Sequence, residues 1–160
     1  MNEALKEAAN AFDADEVPVG AVIVYEKKVI ARAHNQIKTL KDPTAHAEMI
    51  AITQAANFLG NERLNNCDLY VTIEPCPMCM GASVLARIKN LVYGAKDPKT
   101  GSCGSVMKIG LDKRLNHKVN VRGGVLEGAC ALLMTDFFKK KRQEKAGWTL
   151  LTEGAQREKI

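Results

Sequence analysis

Apolar residues recur at helical spacing in the first dozen positions, where Leu5, Ala8, Ala9 and Phe12 fall on one face. The pattern then changes to β-branched and apolar runs over 17–25 and 29–34, separated by Glu26, Lys27 and Lys28, which predicts a hairpin. Pro43 and Thr44 precede an alanine-rich stretch, and Thr44 is the expected cap of a helix over 45–57. A strand is expected over 68–73. Proline is well tolerated in a first helical turn, so Pro75-Cys76-Pro77 opens a helix over 77–87. Residues 90–94 read as a strand, 95–110 as an irregular loop rich in Gly, Ser, Pro and Lys, and 119–121 as a short strand. Leu126, Cys130, Leu133, Met134, Phe137 and Phe138 return to helical spacing and predict a long last helix to about residue 145.

Strands alternating with helices in the middle of the chain imply right-handed crossovers and some parallel pairing. The expected fold class is α/β, a three-layer α/β/α sandwich with a mixed central sheet. No repeat, low-complexity stretch or linker is visible. The 160 residues suit one domain with a full core, read here as 1–145 with a tail of unassigned role over 146–160.

Composition narrows the class. At 46% hydrophobic and 26% charged, the chain is ordinary for a soluble globular protein. No apolar run approaches the roughly 20 residues of a membrane span. The polar start carries no secretory pattern, so a cytoplasmic location without a membrane is the default expectation. Five cysteines, an odd number, argue against a disulfide framework and for metal binding by any close pair. The net charge of +5 is a weak hint of a polyanionic partner. Its distribution says more, since Lys139, Lys140, Lys141, Arg142 and Lys145 face Glu144 alone.

The candidate chemistry lies in two short pieces, His46-Ala47-Glu48 and Pro75-Cys76-Pro77-Met78-Cys79, each at an expected helix start. Cys76 and Cys79, three apart, share a face, and a helix N-terminus favours their thiolates. With His46 they make two thiolates and an imidazole, a set that suits Zn2+. Three protein ligands leave a fourth position to water, the pattern of a catalytic site. Zinc brings the pKa of that water to about 7. Glu48, from the same helix start as His46, reaches the water without binding the metal and takes and returns its proton. The combination is a signature of zinc base deaminases.

Plainer readings exist for each part. A lone Cys-x-x-Cys is also a redox pair, but that use does not call for His-x-Glu. A structural zinc site needs a fourth ligand, for which Cys67, Cys103 and Cys130 are available, although each reads better as a small buried hydrophobe or a loop residue. Glu48 by itself also suits a helix first turn. His34 and His117 read as surface or packing residues.

The resemblance extends beyond the signature. Glu16-Val17-Pro18-Val19-Gly20-Ala21-Val22, Ala33-His34-Asn35, Asp42 through Met49, Leu69 through Cys79, Val92-Tyr93-Gly94-Ala95 and Phe137-Phe138 resemble the bacterial tRNA adenosine deaminase family over roughly 3–142. That resemblance implies a cytidine-deaminase-like fold, a homodimer, and conversion of the wobble adenosine of a tRNA anticodon stem-loop to inosine. It implies that His46, Cys76 and Cys79 bind zinc, that Glu48 shuttles protons and that Asn35 hydrogen-bonds the flipped base. It points to the loop of Lys96, Asp97, Pro98, Lys99 and Gly101, to Asn116 and to the C-terminal helix, with Phe138 and Arg142, as RNA contacts. The physics is compatible: a base must leave its stack to reach a buried ion, and phosphates need Lys or Arg, which 139–142 supplies. The plainer reading of that run is a solvated helix face, and helical spacing favours core burial for Phe137 and Phe138. Two other classes compete: a free nucleobase or nucleoside deaminase of guanine or cytosine type, and a silent zinc module that only binds nucleic acid.

Overall fold

The computed structural model describes residues 1–157, with side chains described through 146; of the expected tail, 158–160 lie outside the described residues. Its elements are α1 (Asn2–Asp13), β1 (Gly20–Tyr25), β2 (Lys28–His34), α2 (Ile37–Leu40), α3 (Ala47–Leu59), β3 (Asp68–Ile73), α4 (Pro77–Leu85), β4 (Asn90–Ala95), a 3-10 turn (Ile109–Leu111), β5 (Asn120–Arg122) and α5 (Glu127–Arg157).

The five strands form one sheet in the order β2-β1-β3-β4-β5. β1 runs antiparallel to β2 and β3, whereas β3, β4 and β5 are parallel. The sheet is mixed, as expected. α1 packs with α5 on one face, and α3 with α4 on the other. At the crossing of α5 over β4, a Cβ on Gly94 would sit 2.3 Å from Cys130 Sγ, so only glycine permits that approach. The opposite layer packs through small residues. Ala47, Ala51 and Ala55 are fully buried along one stripe of α3, against a core that includes Leu69, Val71 and Leu91.

Most other element ends fall within about two residues of the sequence expectation, and four larger departures stand out. β1 begins at Gly20 rather than at 17, because Pro18 has no N–H for a ladder and the Val19 N–H is taken by the Val17 carbonyl at 2.7 Å. Val17 and Val19 therefore bend out of the sheet. The one-turn α2 escapes periodicity altogether. Thr44 does not cap α3. Its hydroxyl bonds Asp42 Oδ1 at 2.7 Å, and His46 is the N-cap. α5 continues past residue 145, since Gln143, Glu144, Lys145 and Ala146 are good helix formers and one glycine, Gly147, does not stop it.

Candidate active site

Two helix starts meet at the carboxyl end of β3. His46 caps α3 and Cys76 caps α4, both in extended backbone, and Pro77 opens α4. Cys79 follows within that first turn. His46 Nδ1 lies 3.7 Å from Cys76 Sγ and 3.6 Å from Cys79 Sγ. Metal–sulfur and metal–nitrogen bonds of about 2.3 and 2.0 Å make the tetrahedral S···N edge about 3.5 Å. The observed spacings match such an edge, so these three donors can hold a metal ion. Among the described residues, no fourth His, Cys, Asp or Glu joins the group. Cys67 and Cys103 lie elsewhere, their thiols pushed up to about 11 and about 12 by burial, and burial raises Cys130 as well. A closed structural site built on one of these cysteines thus loses its fourth ligand.

The electrostatics suit a cation. A hydrogen bond from Cys79 and another with His46 hold the Cys76 thiolate at about 4 against burial. The same Cys76–Cys79 bond, with burial, drives Cys79 upward. Contact with Cys76 raises His46. Glu48, only 3% exposed, is raised by burial, so its carboxyl takes up a proton readily.

His46, Glu48 and Cys76 floor a cavity of about 200 Å³ lined also by Val17, Val19, Asn35, Ile37, Ile73, Glu74, Asp97, Thr100 and Met134. Drug-sized sites span about 300–1,000 Å³. The smaller figure suits one planar ring system. Asn35 is buried, and its Oδ1 accepts the Ala47 N–H at 2.9 Å, so this strand-end residue caps α3 from a distance. Its amide N–H2 is what it can offer the cavity.

A second, larger cavity of about 430 Å³ adjoins the first and shares Ile73, Asp97, Thr100 and Met134 with it. Lys96, Lys99 and Phe138 are among the other residues of its wall. The Phe pair therefore divides. Phe137 is 2% exposed and packs edge-on against Phe12, whereas Phe138 is 42% exposed. The basic run divides too. Lys140 lies over the Phe12 ring, and Lys141 over Phe137 with Asp15 and Glu144 as ion partners, while Lys139 and Arg142 stay exposed.

Among the expected contact residues, Asn35, Asp97, Lys99 and Phe138 line the two cavities. Arg142 lies one turn beyond Phe138 on α5. Asn116 is not brought to the site. Its carbonyl accepts from Arg87 at 3.1 Å, beside the start of β4, at the far end of the parallel strands. Glu74 and Ile37 line the inner cavity without having been read from the sequence. A carboxylate ending the apolar run of β3 was the available signal for Glu74; α2 gave none for Ile37.

The MafB19-like deaminase family profile matches residues 1–142. A tRNA-specific adenosine deaminase of Bacillus subtilis (strain 168) is 48% identical over 145 residues, 91% of this chain and 90% of that one. A solved tRNA:A34 deaminase, studied for A-to-I editing at the wobble position of transfer RNA, superposes with a TM-score of 0.80 at 46% identity, covering 83% of this chain and 96% of that one. A guanine deaminase from Bacillus subtilis superposes with a TM-score of 0.57 at 43% identity, covering 59% and 61%.

Proposed function

Since this chain belongs to the tRNA-specific adenosine deaminase family, we propose that it converts the wobble adenosine of a tRNA anticodon loop to inosine by zinc-dependent hydrolysis. The observation that carries this reading is buried Glu48 beside a three-donor group, at the floor of a cavity of about 200 Å³. Zinc on His46, Cys76 and Cys79, when bound, supplies the Lewis acid that makes water nucleophilic near neutral pH.

The chain's own groups supply the rest. Glu48 takes one proton as the water oxygen joins C6 of adenine, and passes it to ring nitrogen N1. It then carries the second proton to the amine. The C6–N bond breaks, ammonia leaves and the C6 carbonyl of inosine remains. Asn35 donates its amide N–H2 to an acceptor on the base edge. Val17, Val19 and Ile37 hold the ring and exclude bulk water. The base is flipped from its loop, and the larger cavity takes the strand beside it, with Phe138 as a stacking face, Asp97 hydrogen-bonding the strand and Lys99 and Arg142 near phosphates.

On the same reading the deaminase domain spans 1–145 and works in the cytoplasm as a homodimer. Phe58 on α3 and Leu85 on α4 support the dimer. They are 67% and 77% exposed near the carboxyl ends of two packed helices. No helix of the described residues is long and apolar enough to cross a membrane.

The test compares zinc-loaded protein on an anticodon stem-loop with wobble adenosine, on free adenosine and on free guanine. Inosine in the stem-loop with little turnover of the free compounds is expected. Robust turnover of guanine, indifferent to RNA, would overturn the reading.

A further inference from the structure

The loop over 97–105 forms one wall of both cavities, yet it has no strand or helix to fix it. What it has is Glu74. This carboxylate, 2% exposed, accepts the backbone N–H of Asp97 at 3.2 Å, of Cys103 at 2.8 Å and of Ser105 at 3.2 Å, and the Ser105 hydroxyl as well. Every group facing it is a donor, and the donors come from both ends of the loop.

The next residue continues the clasp. The Pro75 carbonyl accepts both the N–H and the hydroxyl of Ser102, at 2.9 and 2.7 Å. Gly101 completes the fit, since a Cβ there would lie 2.5 Å from Glu74 Oε2. One short stretch, Glu74-Pro75-Cys76, thus ties the loop down with two residues and offers a metal donor with the third.

We propose that Glu74 is a positioning residue for the nucleic-acid strand, holding Asp97, Lys99 and Thr100 where the larger cavity needs them. Although Glu74 borders the inner cavity, its carboxylate oxygens are taken up by the donors of the loop, and it acts through that loop. This inference rests on the deaminase reading given above. An amide at position 74 turns an N–H2 toward donors, so the loop loses part of its anchorage while the helix caps that place His46, Cys76 and Cys79 keep theirs.

The experiment compares zinc-loaded wild type, Glu74→Gln and Ser105→Ala for zinc content, direct binding of the anticodon stem-loop by fluorescence anisotropy, and the separation of KM from kcat. Hydrogen bonds to a buried charge lead us to expect Glu74→Gln to weaken stem-loop binding and raise KM about tenfold to a hundredfold, with zinc unchanged and kcat within about threefold. Ser105→Ala, which removes one donor and leaves the charge in place, should show the same pattern at roughly threefold to tenfold. Wild-type binding and KM in both variants would overturn the proposal. So would loss of zinc or of the folded state in Glu74→Gln with Ser105→Ala unchanged, since the role would then be structural. If the wild type itself neither binds nor deaminates the stem-loop, the underlying functional reading falls and takes the proposal with it.

Discussion

The floor and the wall of the site are held in different ways. On the floor, His46, Cys76 and Cys79 sit at helix starts: that of α3 is held by the Asn35 side chain and a stripe of buried alanines, and that of α4 opens on Pro77. The wall is a loop and a helix face held by side chains from elsewhere: Glu74 on 97–105, and Asp15 bridging Lys38 of α2 and Lys141 of α5. Changes in the floor should therefore alter chemistry and metal, whereas changes in the wall should alter recognition with the metal intact.

Asn35 belongs to both and gives the largest expected effect of this set. Asn35→Ala removes the distant cap of α3 and an amide that lines the inner cavity. It should cost about 1 kcal/mol of stability. Misplacing the base should lower kcat/KM about a hundredfold. A lowered Tm with unchanged kcat/KM would make it a cap only.

The wall offers a sharper division between neighbours. Arg142→Ala should reduce the slope of log affinity for the stem-loop against log salt by about 0.7, the value for one phosphate contact to a single strand. Lys141→Ala should leave that slope alone and lower thermal stability, because Lys141 is occupied by Asp15 and Glu144. Equal salt slopes for the two variants would erase the distinction.

The smallest effect concerns pH. Burial works to raise Glu16, but hydrogen bonds from Thr39 and Lys38 outweigh it and the carboxyl stays below its ordinary 4.5. A depressed folded value means that Glu16 adds stability above about pH 4.5 and loses it as pH falls through the folded value. The stability gap between wild type and Glu16→Gln should be full at neutral pH and shrink in acid; a gap that widens below pH 4.5 would reverse the sign.

The same division decides what the sequence could tell. β3 was legible to the residue and β4 to within one, because alternating burial and flanking turn residues are local signals. So was the coming together of His46, Cys76 and Cys79, which are caps and first-turn residues set by Pro43, Pro75 and Pro77. The wall was not. Glu74 finds Ser105, and Asp15 finds Lys141, only after the sheet has formed, and no local pattern announces such a pairing. For that reason Lys141 read as one of a run of cations, and Asn116 read beside residues that line the cavities, whereas its carbonyl is held by Arg87.

The central claim is that the floor divides labour between three metal donors and one proton carrier. The most direct test measures bound zinc and inosine formation together in Glu48→Gln and Cys79→Ser. Glu48→Gln should keep zinc at the wild-type level while turnover on the stem-loop falls about 10²–10⁴-fold, and Cys79→Ser should lose the zinc itself. Near wild-type turnover in Glu48→Gln, or full zinc occupancy in Cys79→Ser, would contradict the account.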